Sequence, residues 1–280
     1  MRFENPVELQ EAYSIIATGD WKVLAGATDF YPSLNGGVPK GNVLDITNLK
    51  SIKGISRDEN GDWHIGALTT WTDVIEEDLP SSFDGLKLSA REVGSVQIQN
   101  RATIVGNICN ASPTADGVPP LLTLGAEVKI GSLAGERRTP LSDFIEGNRK
   151  TALKPGEIVI GIVLPANSTS GVSSFLKLGA RKYLVISISM VAVRIHAIDG
   201  HISDAAIAVG SCSLVAQRLL ALESLIVGRE ANSDVVQIIN DDHFAALAPI
   251  DDVRATKDYR MHAAKEMVVR VLTQTPEAVI

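Results

Sequence analysis

The spacing of apolar residues predicts a small β/α unit at the start of the chain. Apolar positions recur at helical intervals in residues 7–16, and Asn5 is placed to cap that helix. Two short apolar strands, 22–25 and 43–46, follow, and the first runs into a loop that contains glycine. These elements predict a first subdomain at residues 1–54.

The middle of the chain changes to short strands and short helices. Strands are predicted on both sides of the turn at Asn60-Gly61, and a helix opens near Ser81. Residues 99–113 are rich in small and amide side chains and are too irregular for a simple strand. We therefore expect a second α+β subdomain at residues 55–167.

A stretch of turn-forming residues, 165–171, has the composition of a linker. Beyond it the pattern is first β and then α. Asp199-Gly200 lies between two apolar runs and predicts a hairpin with a type I′ turn. This pattern predicts a C-terminal domain at residues 172–280. Its helices are expected near 214–226, 231–247 and 257–273.

The composition is that of an ordinary globular protein. Of 280 residues, 45% are hydrophobic and 21% are charged, and 26 basic against 33 acidic residues give a net charge of −7. This balance lacks the basic footprint of a nucleic-acid-binding protein. The longest apolar run, 185–198, is short and contains Arg194 and His196, so it predicts a core strand rather than a membrane span. Because residues 1–11 lack the apolar stretch of a secretory signal, we expect a cytoplasmic protein.

Metal chemistry is not expected in this chain. Cys109 and Cys212 are its two cysteines, and two thiols cannot supply the four ligands of an iron–sulfur cluster or a structural zinc site. The five histidines form no obvious ligand pair. We therefore predict no metal site and two buried, reduced thiols.

Two glycine-bearing segments, 24–30 and 103–107, are the candidates for binding chemistry. Neither is a G-x-G-x-x-G fingerprint, and no Gly-Lys-Ser/Thr of a P-loop is present. Small residues let backbone N–H groups approach an anion closely, as in phosphate-binding nests. Either segment alone also fits a plain strand-to-loop turn.

Taken together and in order, three stretches resemble a known family: AGATDFYP, ATIVGNICNASPTADGVPPLLTLGAEV and GEIVIGIVLP. They resemble the FAD-binding (medium) subunits of the molybdenum hydroxylases, the xanthine dehydrogenase and carbon monoxide dehydrogenase family. The resemblance extends over essentially the whole chain. It implies an α+β fold, with a two-subdomain FAD-binding unit of the vanillyl-alcohol-oxidase (PCMH-like) type. A small C-terminal domain of an antiparallel sheet and helices is expected to follow.

The resemblance also implies which residues bind FAD. The backbone N–H groups of 25–30 and 103–107 would lie on two sides of the pyrophosphate. Asp116 would bond a ribityl or ribose hydroxyl, Ile160 would pack on the isoalloxazine, and Lys177 would make a basic contact near the flavin. The full set is Ala25, Gly26, Ala27, Thr28, Asp29, Phe30, Thr103, Ile104, Val105, Gly106, Asn107, Asn110, Asp116, Ile160 and Lys177.

Two positions depart from the family's pattern. The family often has Gly-Gly where this chain has Gly26-Ala27, and Ile-Gly-Gly-Asn where residues 104–107 are Ile-Val-Gly-Asn. Valine resists a positive φ, so a left-handed residue in the second segment would have to be Gly106. If the phosphate-binding nest needs such a residue, we expect Gly106 to supply it.

The implied function is electron transfer in a multi-subunit enzyme. An iron–sulfur subunit with [2Fe–2S] clusters would pass electrons to the FAD, and a molybdopterin subunit would oxidise the substrate. The three chains would form a heterotrimer, whose dimerisation is left open, and NAD, oxygen or quinone would be the acceptor. No catalytic residue is then expected in this chain. The alternatives are a stand-alone flavin-binding protein or dehydrogenase of the same fold, and a scaffold subunit that has lost FAD.

Overall fold

A computed structural model describes residues 1–275, in which ten α-helices and fourteen β-strands are found. The helices are α1 Leu9–Ile16, α2 Phe30–Ser33, α3 Trp71–Glu76, α4 Asp84–Glu92, α5 Val96–Gln99, α6 Ile104–Asn110, α7 Val118–Thr123, α8 Leu141–Phe144, α9 Leu220–Ile226 and α10 Lys257–Gln274. The strands are β1 Phe3–Glu4, β2 Trp21–Leu24, β3 Asn42–Asp45, β4 Ile55–Arg57, β5 Trp63–Gly66, β6 Glu127–Ser132, β7 Gly135–Pro140, β8 Ile145–Gly147, β9 Lys150–Thr151, β10 Ile158–Leu164, β11 Val172–Leu178, β12 Ser189–Ile198, β13 His201–Gly210 and β14 Gln217–Arg218.

The first sheet has three parallel strands in the order β1-β3-β2. Helix α1 connects β1 to β2 and buries Ala12 and Ile16 beside Leu44 of β3. The predicted β/α opening of the chain is therefore confirmed. The loop that follows Leu24 begins at the carboxyl end of β2, and this loop forms one wall of the site described below.

The second sheet has five antiparallel strands in the order β4-β5-β10-β6-β7. Helices α3 to α7 lie between β5 and β6 in the sequence. All seven residues of β10 are buried, as its continuous apolar run indicates. Buried side chains of the first and second sheets belong to one continuous hydrophobic cluster, so the two units pack around a shared core.

The third sheet is antiparallel, in the order β11-β12-β13-β14. Asp199 and Gly200 connect β12 to β13 with φ of 50° and 75°, which confirms the predicted type I′ hairpin. Helices α9 and α10 cover one face of this sheet, while α4 and α7 of the preceding unit cover the other.

Two arginines attach the third sheet to the carboxyl end of α7. Arg194 Nε donates to the carbonyl oxygen of Thr123 at 2.9 Å, and Arg218 Nη1 donates to that of Leu122 at 3.2 Å. Cations at a helix carboxyl terminus satisfy the carbonyl groups that have no partner within the helix. These two bonds hold the third sheet against α7 of the preceding unit.

Two predicted helices begin later than the pattern indicates. Helix α1 starts at Leu9, because the side chain of Asn5 donates to the carbonyl oxygen of Asp45 and does not cap it. The helix expected at 214–226 starts at Leu220, because the residues before it pair with β13 as β14.

The helix predicted at 231–247 is absent from the described chain as a continuous element. Two 3-10 turns, Ser233–Ile238 and Asp241–Phe244, stand in its place. The side chains of Asn232 and Asn240 each accept the backbone N–H two residues further on, which starts a new turn at each position. Short polar side chains thus compete with the helical backbone pattern.

Candidate functional site

A cleft of about 560 Å³ lies between the first and second sheets. Its walls come from the loop after β2, from α5 and α6, and from the start of β10. Most residues that the sequence places at a cofactor meet here. These are Ala25, Gly26, Ala27, Thr28, Asp29, Phe30, Thr103, Val105, Gly106, Asn107 and Asn110. Ile104, between two of them, is buried in the core and does not line the cleft.

The first glycine-bearing segment touches, backbone to backbone, the two residues that precede the second segment. A Cβ on Gly26 would lie 2.0 Å from the carbonyl oxygen of Arg101 and 2.9 Å from the Cα of Ala102. Only glycine allows this approach. The neighbouring Ala27 has a φ of 61°, so it holds the left-handed conformation of this loop.

The segment predicted to be irregular forms α5 and α6. Thr103 caps α6, since its Oγ1 accepts the backbone N–H of Gly106 at 2.9 Å. Gly106 has ordinary helical geometry, and the expectation that it supplies a positive φ is wrong. Val105 fits because a β-branched residue is tolerated in a helix, where it is 3% exposed.

Several backbone N–H groups along these walls are free to bind a ligand. Within residues 1–275, they donate to no backbone or side-chain acceptor. They belong to Gly26, Ala27, Thr28, Asp29 and Val105. Free amides on small residues are the usual donors to phosphate oxygens, so the cleft matches a dinucleotide's pyrophosphate chemically.

Two buried polar atoms of the cleft also lack partners among the described residues. They are Asn107 Oδ1, an acceptor, and Trp71 Nε1, a donor. A buried polar group without a partner costs free energy, so native structures rarely retain one without a ligand or water nearby. A flavin or ribityl chain carries the donors and acceptors that both atoms need. The cleft therefore fits the FAD that the sequence implies.

The apolar wall at β10 is formed by Ile158 and Val159, and Ile160 is not part of it. Ile160 lines a second, smaller cavity of about 300 Å³ between the sheets. Neighbouring side chains of a strand point to opposite faces of the sheet, so a prediction that is wrong by one residue places the side chain on the wrong face. A register shift between Val159 and Gly161 lies at this position. Val159 is thus better placed than Ile160 to contact a flat ring.

Asp116 and Lys177 form a buried ion pair outside the cleft lining. Lys177 Nζ lies 2.6 Å from Asp116 Oδ2, with side chains 5% and 10% exposed respectively. Ser187 donates to Asp116 Oδ1 at 2.5 Å. Burial raises the pKa of the Asp116 carboxyl, against the lowering effects of Lys177 and Ser187.

The pair lies directly behind the cleft wall. A Cβ on Gly117, which follows Asp116, would lie 3.0 Å from Asn107 Oδ1 and 2.5 Å from the indole of Trp71. Lys177 also donates to the carbonyl oxygen of Glu92, the residue before the cleft-lining Val93. The Asp116–Lys177 pair is therefore linked to residues that line the cleft, through Gly117 on one side and Glu92 on the other.

The two carboxylates of the cleft are paired with arginines. Arg137 donates to Glu157 from Nε at 2.8 Å and from Nη2 at 2.7 Å, and this bonding lowers the pKa of the Glu157 carboxyl. Arg149 Nη1 lies 3.1 Å from Asp29 Oδ2. Sequence reasoning missed Arg149, because its contact with Asp29 crosses 120 positions of the chain.

The cleft also contains a shielded thiol. Cys109 is partly exposed as a residue, yet burial of its thiol raises the pKa to about 12. No cluster of three or more metal-ligating side chains occurs in residues 1–275. None of the helices in the described part of the chain combines the length and apolar character that a membrane crossing requires.

Comparison with known proteins gives consistent matches along the chain. Residues 1–167 match the family described as the FAD binding domain in molybdopterin dehydrogenase. Residues 174–275 match the family described as the CO dehydrogenase flavoprotein C-terminal domain.

Individual relatives are similar over nearly their full length. The xanthine dehydrogenase FAD-binding subunit of Escherichia coli O157:H7 is 28% identical over 280 residues, which cover 99% of this chain and 96% of the relative. The glyceraldehyde dehydrogenase medium chain of Sulfolobus acidocaldarius is 29% identical over 269 residues, with 95% of each chain covered. A chain of carbon monoxide dehydrogenase from Hydrogenophaga pseudoflava superimposes with a TM-score of 0.88 at 25% identity, covering 100% of this chain and 98% of that one.

Proposed function

The chain belongs to the family of FAD-binding domains of molybdopterin dehydrogenases, and on that premise we propose that it is the electron-transfer subunit of a multi-subunit molybdenum hydroxylase. It would take electrons from [2Fe–2S] clusters of a partner subunit and pass them to an external acceptor. The substrate would be oxidised on a molybdopterin subunit. The relatives named as FAD-binding subunit and medium chain support this division of labour.

The geometry of Gly26 against Arg101 is the observation that carries the proposal. The free amides of residues 26–29 lie in one wall of the cleft, and the free amide of Val105 lies in the other. We propose that these amides hold the pyrophosphate, that Asn107 and Trp71 bond polar groups of the flavin half, and that Val159 packs on its ring system. When bound, FAD supplies the ability to accept a pair of electrons and release them to another centre.

The side chains of the cleft are suited to positioning a cofactor. Glu157 is held by Arg137 and Asp29 by Arg149, so both carboxylates are engaged in ion pairs. The Cys109 thiol, with a pKa near 12, stays protonated at neutral pH. We therefore propose that this chain binds and orients the flavin, and that it contributes no acid, base or nucleophile to substrate oxidation.

The assembly we propose is a heterotrimer with an iron–sulfur subunit and a molybdopterin subunit, located in the cytoplasm. NAD, oxygen and quinone are the candidate acceptors. The overall match to a carbon monoxide dehydrogenase chain supports a multi-subunit context, because nearly the whole length of both chains superimposes.

Anaerobic flavin absorbance tests the proposal. The isolated chain, loaded with FAD, should be bleached by dithionite but not by purines, aldehydes or N-heterocycles. Adding cluster-bearing and molybdenum subunits should restore bleaching by the substrate of the complex. Bleaching of the isolated chain by an organic substrate would contradict the proposal and favour a stand-alone dehydrogenase of the same fold.

A further inference from the structure

Arg149 lies outside the cleft lining and joins a residue of one wall to a residue of the other. It lies between β8 and β9, in neither of the segments that the sequence places at the cofactor. Its Nη1 lies 3.1 Å from Oδ2 of Asp29 in the first wall. The same Nη1 bonds Oδ1 of Asn110 at the end of α6, in the second wall, and lies 3.4 Å from that residue's carbonyl oxygen.

The backbone holds Arg149 in a costly conformation. Its φ is 59°, in the left-handed region that non-glycine residues avoid. Its N–H donates to the carbonyl oxygen of Ala111, the C-cap of α6, at 2.8 Å. A left-handed arginine persists only where the surrounding contacts over-determine it, and such residues cluster at ligand sites.

Arg149 neutralises a carboxylate that lies beside the free amides of the loop after β2. Asp29 belongs to the loop whose free amides would hold phosphate, and its carboxylate would repel that phosphate if it were unpaired. The Arg149 guanidinium neutralises this carboxylate at 3.1 Å. The other cleft carboxylate, Glu157, already has its own partner in Arg137.

Arg149 also retains unused hydrogen-bond donors. Its Nε and Nη2 bond to no acceptor within the described residues, and 53% of its side chain is exposed. A guanidinium presents its donors in a planar fork that matches phosphate oxygens.

We infer that Arg149 binds the diphosphate of the dinucleotide in the cleft. The inference rests on the proposed function. Arg149 cancels the charge of Asp29 beside the phosphate-binding loop and offers its free donors to the diphosphate oxygens. By contacting Asp29 and Asn110, it also links the loop after β2 to the end of α6. The chemical class that it recognises is the anionic diphosphate, not the flavin ring.

Titration of the apoprotein with FAD, followed by flavin fluorescence, tests the inference. Arg149→Ala should weaken FAD binding about 30-fold, as expected for loss of a charge-assisted bond and an uncompensated carboxylate. Arg149→Lys keeps the positive charge but lacks the planar pair of donors, so it should lose less FAD affinity than Arg149→Ala. Asp29→Asn should bind at least as tightly as wild type, and Arg149→Ala with Asp29→Asn should regain part of the loss. Lys150→Ala is the matched control, because Lys150 is adjacent and basic and, within residues 1–275, forms its ion pair with Glu146.

Salt gives a second readout. The FAD dissociation constant of wild type should rise more steeply with ionic strength than that of Arg149→Ala. Equal affinities of Arg149→Ala and Lys150→Ala would overturn the inference, and a double variant as weak as Arg149→Ala would contradict charge compensation. If Arg149→Ala does not fold, the FAD affinity of Arg149→Lys and the salt dependence of FAD binding by wild type test the inference instead. Failure of wild type to bind FAD would instead count against the proposed function.

Discussion

The Cα of Gly26 and the backbone carbonyl of Arg101 are in direct contact: a Cβ on Gly26 would lie 2.0 Å from the carbonyl oxygen. The loop after β2 is thereby seated on the residues that lead into the cap of α6. This contact joins one wall of the cleft to the residues that lead into the other. Its consequences can be measured without any partner subunit.

Gly26→Ala should loosen the two walls, because the methyl group must displace a backbone carbonyl. We expect a loss of about 1–3 kcal/mol in the free energy of unfolding, as for other overpacked sites, together with weaker FAD binding. Urea unfolding of the apoprotein and FAD titration measure the two effects. Gly147→Ala is the control, since among the described residues the nearest neighbour of its Cβ would be Leu214, at an ordinary van der Waals distance of 3.7 Å. Identical behaviour of the two variants would contradict this role of Gly26.

Removing only one partner of the buried Asp116–Lys177 pair should strongly lower the free energy of unfolding. Asp116→Ala leaves the buried Lys177 ammonium without a counter-ion, so we expect about 3–5 kcal/mol of destabilisation in urea unfolding. Asp116→Asn combined with Lys177→Met removes both charges and should recover most of that stability. We predict that this double variant still binds FAD about tenfold more weakly than wild type, because the pair supports the cleft wall beside Asn107. Wild-type affinity in the double variant would make the pair purely structural.

The Arg137–Glu157 pair should give a pH-dependent contribution to stability. The pKa of Glu157 is lowered from its ordinary 4.5 on folding, so its contribution is complete above that value and is lost as pH falls through the lowered pKa. Glu157→Gln should therefore cost about 1 kcal/mol at pH 7, and the difference from wild type should shrink below pH 4.5. Urea unfolding at several pH values measures this. Glu146→Gln, which removes the more exposed pair with Lys150, is the control and should stay within about 0.5 kcal/mol of wild type.

The thiol of Cys109 should resist modification in the native protein although it lines the cleft. Burial raises the pKa of this thiol to about 12, so little of it is the reactive thiolate at pH 8. Cys212 is fully buried. Reaction with a disulfide reagent should be slow before denaturation, and two thiols should react after it. Cys109→Ser should release one thiol instead of two, and rapid reaction of a native thiol would contradict the burial.

Local sequence chemistry predicted the parts of the fold that depend on neighbouring residues. Asp199-Gly200 specifies a hairpin because both positions accept a positive φ. Gly26 is expected at a close approach because only glycine lacks a Cβ. Ala27 shows the limit of that reasoning, since an alanine holds the left-handed conformation that was expected at Gly106. The first turn of α6 leaves the amide of Val105 free without any positive φ, while the Thr103 cap accepts that of Gly106.

The remaining features depend on contacts that no local pattern records. Val159 lines the cleft and Ile160 lines a different cavity, at a register shift of β10 that apolar composition cannot reveal. Asp116 meets Lys177 across 61 positions, and Arg149 meets Asp29 across 120. Such pairs are set by how the two sheets and the C-terminal domain pack. They could be found only once that packing was known.

Identification of the bound flavin tests the central claim, that the cleft between the first two sheets holds a dinucleotide. The chain should be purified without partners, its cofactor released by heat and separated by chromatography, and the apoprotein titrated with FAD and with FMN. We predict one FAD per chain and binding of FMN at least about 100-fold weaker, because FMN lacks the diphosphate that the free amides of residues 26–29 and Arg149 are placed to hold. Recovery of FMN alone, or equal affinity for the two flavins, would contradict the account.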